Sequence, residues 1–317
     1  MRRIAVVCAL TLFSAIHAAT ATPFAWITNQ ADDTVTVIDT ATGRAETTIK
    51  VGHRPAGVVT SHDGRRVYVS NPESRDISII DGATRTMIKT VPIGDGPLGI
   101  AISPDDRQVF ISDWYSHQVA VLDTANNEIT GHIPVGNSPA GLAATPDGTR
   151  LVVANRDDNS VTVINLADRK PLATISVGTA PFGVTLDASG KRAFVANVQS
   201  SDISVIDLRD FRVTHTLPVG SFPYAIAHEP VTDRLFVTNQ HDNSVSVIDL
   251  KSAQTARTVK VGDYPEGIAL HPDGRHVYVV SWFDGAVYLI DTATLEVGAR
   301  IASGNGSRGF GDFIAPR

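Results

Sequence analysis

The chain is short of the residues that redox sites use. It has one cysteine, two methionines and three tryptophans among 317 residues. The cysteine, Cys8, falls in an N-terminal segment that we expect to be removed, which excludes disulfides and thiolate chemistry from the mature chain. After that segment no apolar run reaches the roughly 18 residues needed to cross a bilayer. G-x-S-x-G, H-E-x-x-H, Walker and C-x-x-C motifs are also missing, so we expect no cofactor.

The first 21 residues have the composition of a secretory signal peptide. Two arginines precede an apolar stretch at 4–16, and small residues follow up to Ala21. This order is typical of a signal peptide, and the stretch is too short to span a membrane. We predict cleavage near Ala21 and a periplasmic or secreted mature protein with one domain over 22–317. The formal net charge of −6 favours solubility and disfavours a broad basic surface for duplex nucleic acid.

Glycine recurs at a fixed spacing of 42 residues. Around each of these glycines lie four short segments that alternate apolar and polar residues, separated by turn sequences such as SPDD and HPDG. Four such segments form a small antiparallel sheet that cannot bury its faces alone, and radial stacking of these sheets gives a β-propeller. The glycines are Gly52, Gly94, Gly136, Gly178, Gly220, Gly262 and Gly304.

The order of segments at the two ends of the chain predicts how the ring closes. The chain enters at the second segment of one unit, at 24–29, and finishes with the first segment of another, at 307–314. The last segment can therefore join the first three. We predict an all-β fold, a seven-bladed β-propeller with four-stranded antiparallel blades, closed by pairing the C-terminal strand with the N-terminal three strands.

These segments resemble the YVTN-repeat β-propeller family. Residues 234–239 read RLFVTN and residues 244–249 read SVSVID, close to the repeat of that family. The resemblance covers the whole mature chain and implies an exported propeller. Because the family shares no catalytic motif, it implies no particular reaction. Asn165, Ser281 and Ser307 depart from the aspartate, asparagine and proline of the repeat pattern.

Residues that recur in most repeats are interpreted as structural, since six catalytic aspartates around one ring have no chemical use. We expect the recurring aspartates to accept hydrogen bonds in turns, and the recurring glycines to adopt a backbone conformation that only glycine reaches cheaply. The aspartates are Asp39, Asp81, Asp123, Asp207, Asp249 and Asp291, and the asparagines at the end of the second segment are Asn29, Asn71, Asn155, Asn197 and Asn239.

Function is expected where the repeat is broken on the loop face, which carries the loops after the glycines and after each second segment. Two aromatic pairs occupy the same register three blades apart, and four successive inner segments begin with large or charged residues. Aromatic side chains beside an arginine and a carboxylate are typical of a recognition surface. The predicted ligand-binding residues are Trp114, Tyr115, Phe182, Phe222, Tyr224, Tyr264, Glu266, Trp282, Phe283 and Arg308.

We favour a monomeric, non-catalytic binding propeller that recognises a protein or a small molecule on the loop face. One alternative is single-stranded DNA binding, in which the aromatic residues stack on bases and four arginines contact phosphates. The acidic residues nearby oppose it. The arginines are Arg54, Arg75, Arg156 and Arg308.

A second alternative is a lactonase-like or lyase-like enzyme that uses Glu266, Arg308 and His228 around the axis. Glu266 and Arg308 are adjacent in the ring, however, and are expected to form an exposed ion pair. A metal-binding propeller is the third alternative. Its candidate ligands are the nitrogens of His228 and His271, with Glu229 and Asp312 as further oxygen donors at the lower channel.

Overall fold

Alternating apolar segments of six or seven residues form most of the strands, as their period of two predicts. A computed structural model describes residues 23–314, which fold into seven four-stranded antiparallel sheets and contain no helix. The predicted all-β, seven-bladed propeller is confirmed. The predicted signal peptide and its cleavage near Ala21 lie outside the described residues.

In blades 1 to 6 the strands follow one another along the chain from the channel outward. Blade 1 has Val58–Thr60, Arg66–Asn71, Asp76–Asp81 and Thr86–Pro92 (β4–β7). Blade 2 has Pro97–Ile102, Gln108–Asp113, Gln118–Asp123 and Glu128–Pro134 (β8–β11). Blade 3 has Pro139–Ala144, Arg150–Asn155, Ser160–Asn165 and Lys170–Ser176 (β12–β15).

The other three of these blades have the same order. Blade 4 has Pro181–Leu186, Arg192–Asn197, Asp202–Asp207 and Arg212–Pro218 (β16–β19). Blade 5 has Pro223–Glu229, Arg234–Asn239, Ser244–Asp249 and Gln254–Lys260 (β20–β23). Blade 6 has Pro265–Leu270, His276–Ser281, Ala286–Asp291 and Val297–Ala302 (β24–β27). Blade 7 joins Ser307–Arg308 (β28) to Phe24–Asn29, Thr34–Asp39 and Arg44–Lys50 (β1–β3).

The closing segment, residues 307–314, is bonded to the blades on both of its sides. Its strand β28 pairs antiparallel with β1, which closes the ring as predicted. Further along, the Val58 N–H donates to the Phe310 carbonyl at 3.0 Å and the Thr60 N–H to the Asp312 carbonyl at 3.3 Å. The closing segment therefore holds blade 7 together and also fastens it to blade 1.

The recurring asparagines and aspartates tie strands and turns together, as expected. The Asn155 amide donates to the hydroxyls of Ser160 at 3.0 Å and Thr162 at 2.8 Å on the next strand. An Asp39 carboxylate oxygen accepts the Ala41 N–H at 2.7 Å in the following turn. Similar bonds recur around the ring, which accounts for both residue types without a functional role.

The glycines spaced 42 residues apart let two parts of the chain approach each other closely. The prediction that they adopt a special backbone conformation was wrong. None of the seven has a φ in the left-handed region. Instead, a Cβ at Gly136 would lie 2.7 Å from Cγ of Asn155, and a recurring asparagine blocks the same position at four other glycines. Only a residue without a side chain lets this loop lie directly on the asparagine at the end of the second strand.

The apolar core lies between neighbouring blades, where the β-branched residues of the strands interdigitate. Hydroxyls add polar links between blades near the channel. The Ser112 hydroxyl donates to the Ala140 carbonyl of the next blade at 2.7 Å, and the Thr238 hydroxyl to the Glu266 carbonyl at 2.9 Å. Over residues 23–314, no helix has the length and apolarity that a membrane crossing requires.

Candidate functional site

Residues 42 apart on the inner strands of blades 1 to 6 lie at the same depth in the channel, because these blades share one register. The closing segment leaves that register after Arg308, and its backbone bonds to Val58 and Thr60 place Phe310 and Asp312 at the depth of those two residues. Three layers result, which we call the loop-face, middle and turn-face layers. The loop-face layer is Ala56, Leu98, Ala140, Phe182, Tyr224, Glu266 and Arg308. The middle layer is Val58, Ile100, Leu142, Val184, Ile226, Ile268 and Phe310. The turn-face layer is Thr60, Ile102, Ala144, Leu186, His228, Leu270 and Asp312.

The middle layer is entirely apolar, so it separates two ends that both carry charged groups. Four residues of extended strand place the outer layers about 13 Å apart along the chain. The enzyme alternative required Glu266, Arg308 and His228 around one reacting centre. Because His228 lies in the turn-face layer and the other two in the loop-face layer, the fold does not bring that set together.

An aromatic pocket of about 260 Å³ opens at the loop-face layer. The Phe182 ring stacks on Tyr224 with centroids 4.3 Å apart, and Trp114 is tilted against Phe182 at 6.4 Å. Tyr115 stands at the rim with 69% of its surface exposed. The lining residues are Pro72, Gly96, Leu98, Trp114, Tyr115, Phe182, Tyr224 and Arg308.

Phe310 closes the channel below this pocket. Its ring centroid lies 5.0 Å from Phe182 and 5.8 Å from Tyr224, and its side chain is buried. Sequence reasoning missed this residue, although it is the one aromatic in a register that otherwise holds valine, isoleucine or leucine. The aromatic side chains of the pocket therefore lie directly on the Phe310 ring, which we call the plug.

The ion pair of Glu266 and Arg308 is buried, so the expectation of an exposed bridge was wrong. Arg308 Nε lies 2.5 Å from Glu266 Oε2, and the two side chains are only 11% and 4% exposed. Two further polar atoms of the pair also have partners. Gln240 donates its amide to Glu266 Oε1 at 3.0 Å, and Arg308 donates to the Tyr224 hydroxyl. The guanidinium lies 5.0 Å from the Trp282 ring centroid.

Burial and charge act in opposite directions on this pair. Burial raises the pKa of the Glu266 carboxyl, and the neighbouring guanidinium opposes that rise. Burial alone would lower the pKa of Arg308, but the charge of Glu266 and the interactions with Tyr224 together raise it overall. Arginine keeps its proton in proteins, so the Arg308 guanidinium is charged at neutral pH. Burial also raises the pKa of the Tyr224 hydroxyl, which stays neutral.

A second aromatic group, which we call the outer set, lies beside the pocket on blades 5 and 6. His241 stacks on Phe222 with centroids 3.7 Å apart and lies 6.0 Å from Tyr264. Tyr264 meets Phe283 edge-on at 5.3 Å, and Phe283 is 67% exposed. Sequence reasoning did not place His241 in the site, although it shares the register of Tyr115 and Phe283.

The ten predicted binding residues thus lie in two adjoining groups. Trp282 links them, because it touches Arg308 on one side and lies 6.5 Å from Phe283 on the other. Trp114 and Trp282 do stand on opposite sides of the mouth, as their register predicts, and the chain of Phe182, Tyr224 and Arg308 fills the space between them.

The candidate metal ligands do not converge. His228 Nε2 lies 2.9 Å from Asp233, and the two ring nitrogens of His271 lie 3.0 Å from Asp273 and 3.1 Å from Thr40. Glu229 accepts N–H groups of its own turn. Among residues 23–314 no group of three or more histidine, cysteine or acidic side chains has the geometry to hold a metal ion.

The fold and the loop-face pocket define the protein as a seven-bladed β-propeller whose channel is closed by aromatic side chains. Residues 20–210 match the family described as the cytochrome D1 heme domain. The chain belongs to that family. The resemblance to YVTN repeats is confirmed only as far as the propeller architecture. No curated protein matches the chain.

Solved structures share the fold at low sequence identity. Hydrazine synthase of Kuenenia stuttgartiensis is 22% identical with a TM-score of 0.77, over 91% of this chain and 100% of that chain. A functionally unknown protein from Desulfotomaculum acetoxidans DSM 771 is 15% identical with a TM-score of 0.80, over 92% and 99%. Dihydro-heme d1 dehydrogenase NirN, in complex with DHE, is 17% identical with a TM-score of 0.69, over 91% and 74%.

The pocket suits the organic ring of a heme better than its iron. No histidine, methionine or cysteine lines it, and the Tyr224 hydroxyl is bonded to Arg308. Nearby, His117 Nδ1 accepts the Ser138 N–H at 3.1 Å, which places the proton of the neutral ring on Nε2 and leaves no lone pair for a metal. Tyr115 is the one lining residue with a hydroxyl free to approach iron. The donor set therefore does not fit a strongly ligated iron.

Proposed function

We propose that the protein binds a planar, conjugated small molecule with acid groups, of the tetrapyrrole class, in the loop-face pocket against Trp114 and Tyr115. The observation that carries the proposal is an aromatic pocket on a chain of the cytochrome D1 heme domain family. A flat conjugated ring gains dispersion and stacking energy against Trp114, Tyr115 and Phe182.

The charges at the rim agree with an acidic ligand. The guanidinium of Arg156 lies 5.8 Å from the Trp114 ring centroid, at the edge of the pocket. Its partner Asp157 is half exposed, and such surface pairs are weak enough to exchange for a carboxylate of a ligand. Arg308 is different, because its charge is already neutralised by a buried carboxylate. It orients Tyr224 and supports the pocket from below.

A titration with protoporphyrin IX and with hemin tests the proposal. Because the pocket offers stacking and little iron ligation, both probes should bind with similar affinity, followed by their visible absorption. Tyr115→Ala should weaken both about tenfold. Phe283→Ala is the matched control, since Phe283 has the same register and a similar exposure but belongs to the outer set.

Three results would count against this assignment. Equal losses of affinity in both variants would indicate that the ligand contacts the outer set as well as the pocket. Unchanged affinity in Tyr115→Ala would rule out the pocket as the binding site. Hemin binding far more tightly than protoporphyrin IX would contradict the conclusion drawn from the donor set.

A second candidate is an enzyme that acts on such a ligand, which the family membership favours. Hydrazine synthase and dihydro-heme d1 dehydrogenase are named as enzymes. Among the residues that line the pocket, Tyr115 is an exposed one that could exchange a proton with a bound ring. A slow spectral change of bound protoporphyrin IX that Tyr115→Phe abolishes, while affinity persists, would support catalysis. A stable spectrum over hours favours binding alone.

Single-stranded DNA has less support than a tetrapyrrole. All four arginines named for phosphate contacts have acidic partners: Arg54 with Glu73, Arg75 with Asp95, Arg156 with Asp157 and Arg308 with Glu266. If an oligonucleotide bound in a salt-dependent way and Tyr115→Ala abolished that binding, single-stranded DNA would become the favoured ligand.

The cellular location and the assignment of the repeats to the YVTN type are also part of the proposal. We propose a monomeric, periplasmic protein released by cleavage near Ala21, with YVTN-type repeats within the propeller. The mass of the exported chain tests the cleavage site, and it should correspond to a start at Thr22.

A further inference from the structure

Two polar groups at the base of the loop-face pocket have hydrogen-bond donors that the proposed function does not use. They are the Arg308 guanidinium and the Tyr224 hydroxyl, and both residues line the pocket. Tyr224 is 7% exposed and the Arg308 side chain is 11% exposed, so packing holds both groups in place. We call these two groups the polar floor of the pocket.

Two of the three guanidinium nitrogens of Arg308 have partners in the protein. Nε donates to Glu266 Oε2 at 2.5 Å, and Nη2 donates to the Tyr224 hydroxyl. The third nitrogen, Nη1, has no acceptor among residues 23–314, and it is not one of the buried polar atoms there that lack both a partner and access to water. Its N–H groups are therefore accessible, and a ligand in the pocket that Arg308 lines can accept from them.

The Tyr224 hydroxyl supplies a second donor beside Nη1. Its oxygen accepts a hydrogen bond from Arg308, and no residue in the described part of the chain, 23–314, accepts one from its proton. Burial raises the pKa of this hydroxyl, so it keeps the proton at neutral pH. The Tyr224 ring stacks on Phe182 with centroids 4.3 Å apart, which fixes the position of the hydroxyl.

The charge of the polar floor favours an uncharged acceptor. Glu266 is buried and already neutralises the Arg308 guanidinium. A ligand carboxylate at the floor would share that guanidinium with Glu266, and two carboxylates in one buried site repel each other. A carbonyl oxygen adds no charge, and its two lone pairs match the two donors.

A ligand that fills the pocket has to serve these donors. It displaces the water that solvates them, and donors left without an acceptor cost binding free energy. A site with such donors therefore rejects analogues that lack the matching acceptor. The pocket volume of about 260 Å³ is below the roughly 300 to 1,000 Å³ of pockets that enclose a whole ligand, so one edge of a planar ring enters. The acceptor must lie on that edge.

We propose that Arg308 Nη1 and the Tyr224 hydroxyl select a planar ligand that carries an uncharged carbonyl oxygen on the edge that enters the pocket. The inference rests on the proposed function, since it concerns a flat conjugated ligand in the same pocket. Trp114 and Phe182 stack on any flat ring, whereas the polar floor distinguishes between rings of the same shape. The Leu98 side chain, three blades away from Tyr224, has no polar atom, so the carbonyl is directed to the polar floor.

Two probes of the same shape and charge test this inference on the full chain by calorimetry. Anthraquinone-2-sulfonate and anthracene-2-sulfonate are flat three-ring anions, and only the first carries carbonyl oxygens. In a pocket without donors the hydrocarbon binds more tightly, because its ring leaves water more readily. We expect anthraquinone-2-sulfonate to bind about tenfold more tightly instead. Equal affinities, a preference for anthracene-2-sulfonate, or no binding of either probe at about 1 mM would overturn the inference.

A variant locates the donor. Tyr224→Phe removes the hydroxyl and keeps the ring, so it should weaken anthraquinone-2-sulfonate about fivefold and leave anthracene-2-sulfonate unchanged. Retained binding of anthracene-2-sulfonate shows that the pocket of the variant is folded. Wild-type affinity for anthraquinone-2-sulfonate in that folded variant would contradict the assignment. Tyr264→Phe is the matched control, because Tyr264 belongs to the outer set and does not line the pocket, and it should change neither affinity.

Protoporphyrin IX separates this inference from the proposed function. If protoporphyrin IX binds and the two sulfonates bind equally, the proposed function stands and the role of the polar floor is wrong. If the chain prefers anthraquinone-2-sulfonate and does not bind protoporphyrin IX, the polar floor stands and the tetrapyrrole class is wrong. Displacement of protoporphyrin IX by anthraquinone-2-sulfonate would support both, since the two ligands then compete for one pocket.

Discussion

The two ends of the channel each hold a carboxylate, and the two differ in their partners. Glu266 is buried and accepts hydrogen bonds from Arg308 and Gln240, and the Arg308 guanidinium lies over the Trp282 ring. Asp312 has no partner for its side chain among residues 23–314 and faces a cavity. Removing one partner of a buried ion pair is strongly destabilising, whereas an exposed carboxylate is solvated by water and needs no protein partner. The comparison separates a buried, paired carboxylate from an exposed, unpaired one within one ring.

The largest expected effect comes from breaking the satisfied pair. Arg308→Met leaves Glu266 buried and unpaired and removes the partner of Tyr224, which should cost about 3 to 5 kcal/mol in the free energy of unfolding. Urea denaturation measures the loss. Arg75→Met, which breaks an exposed ion pair, is the control and should change stability little. If both variants lose equally little, the pair does not hold the fold.

Removing the plug between the ends should have the next largest effect. Phe310→Ala deletes a buried ring that contacts Phe182 and Tyr224, so we expect a loss of about 3 kcal/mol. Phe310→Leu keeps most of the volume and should cost under about 1.5 kcal/mol. Similar costs for the two substitutions, measured by denaturation, would mean that the ring is loosely packed.

A smaller effect of opposite sign is expected at Asp312. Its raised pKa means that the folded protein prefers the protonated form, so the ionised carboxylate costs stability as pH rises through that pKa. Asp312→Asn should therefore raise the Tm slightly at pH 7. The gain should shrink toward acidic pH and vanish below the ordinary aspartate pKa of about 3.9. A lower Tm at pH 7 would show that Asp312 has a stabilising partner.

The smallest effect on stability is expected at the pocket rim. Tyr115 is 69% exposed, and Tyr115→Ala should change the free energy of unfolding by less than about 0.5 kcal/mol while it weakens protoporphyrin IX. Thermal unfolding checks the stability, and the absorption titration on the same sample checks the affinity for protoporphyrin IX. A large loss of stability would make this tyrosine a part of the core.

The propeller architecture could be predicted from the 42-residue spacing, because every blade is a small sheet that is buried in the same way between its neighbours. Seven glycines 42 residues apart and the offset of the two ends were enough for blade number and closure. The role of the glycines was misjudged, since the restriction comes from the asparagine that packs on them and not from φ. A contact between distant segments leaves no trace in local backbone preference.

The repeat predicted which residues share a position in their blades, but it did not predict which side chains contact each other. Breaks in the repeat predicted one register for Trp114 and Trp282, and the structure has them directly after β9 and β25. They could not show that Glu266 and Arg308 are sealed from water, because burial depends on the rings packed over them. His241 and Phe310 had been overlooked for the same reason, since each gains its meaning from neighbours on other blades.

The closing segment makes ligand binding a report on completed folding. Arg308 and Asp312 both belong to it, and its contact with Thr28 joins residues 280 apart in sequence. Such a distant pairing costs much chain entropy and is expected to form late. Until it forms, Glu266 and Tyr224 lack their partner Arg308, and the Phe310 plug is missing. An incompletely assembled ring would thus lack a finished loop-face pocket, so binding of protoporphyrin IX there should report ring closure.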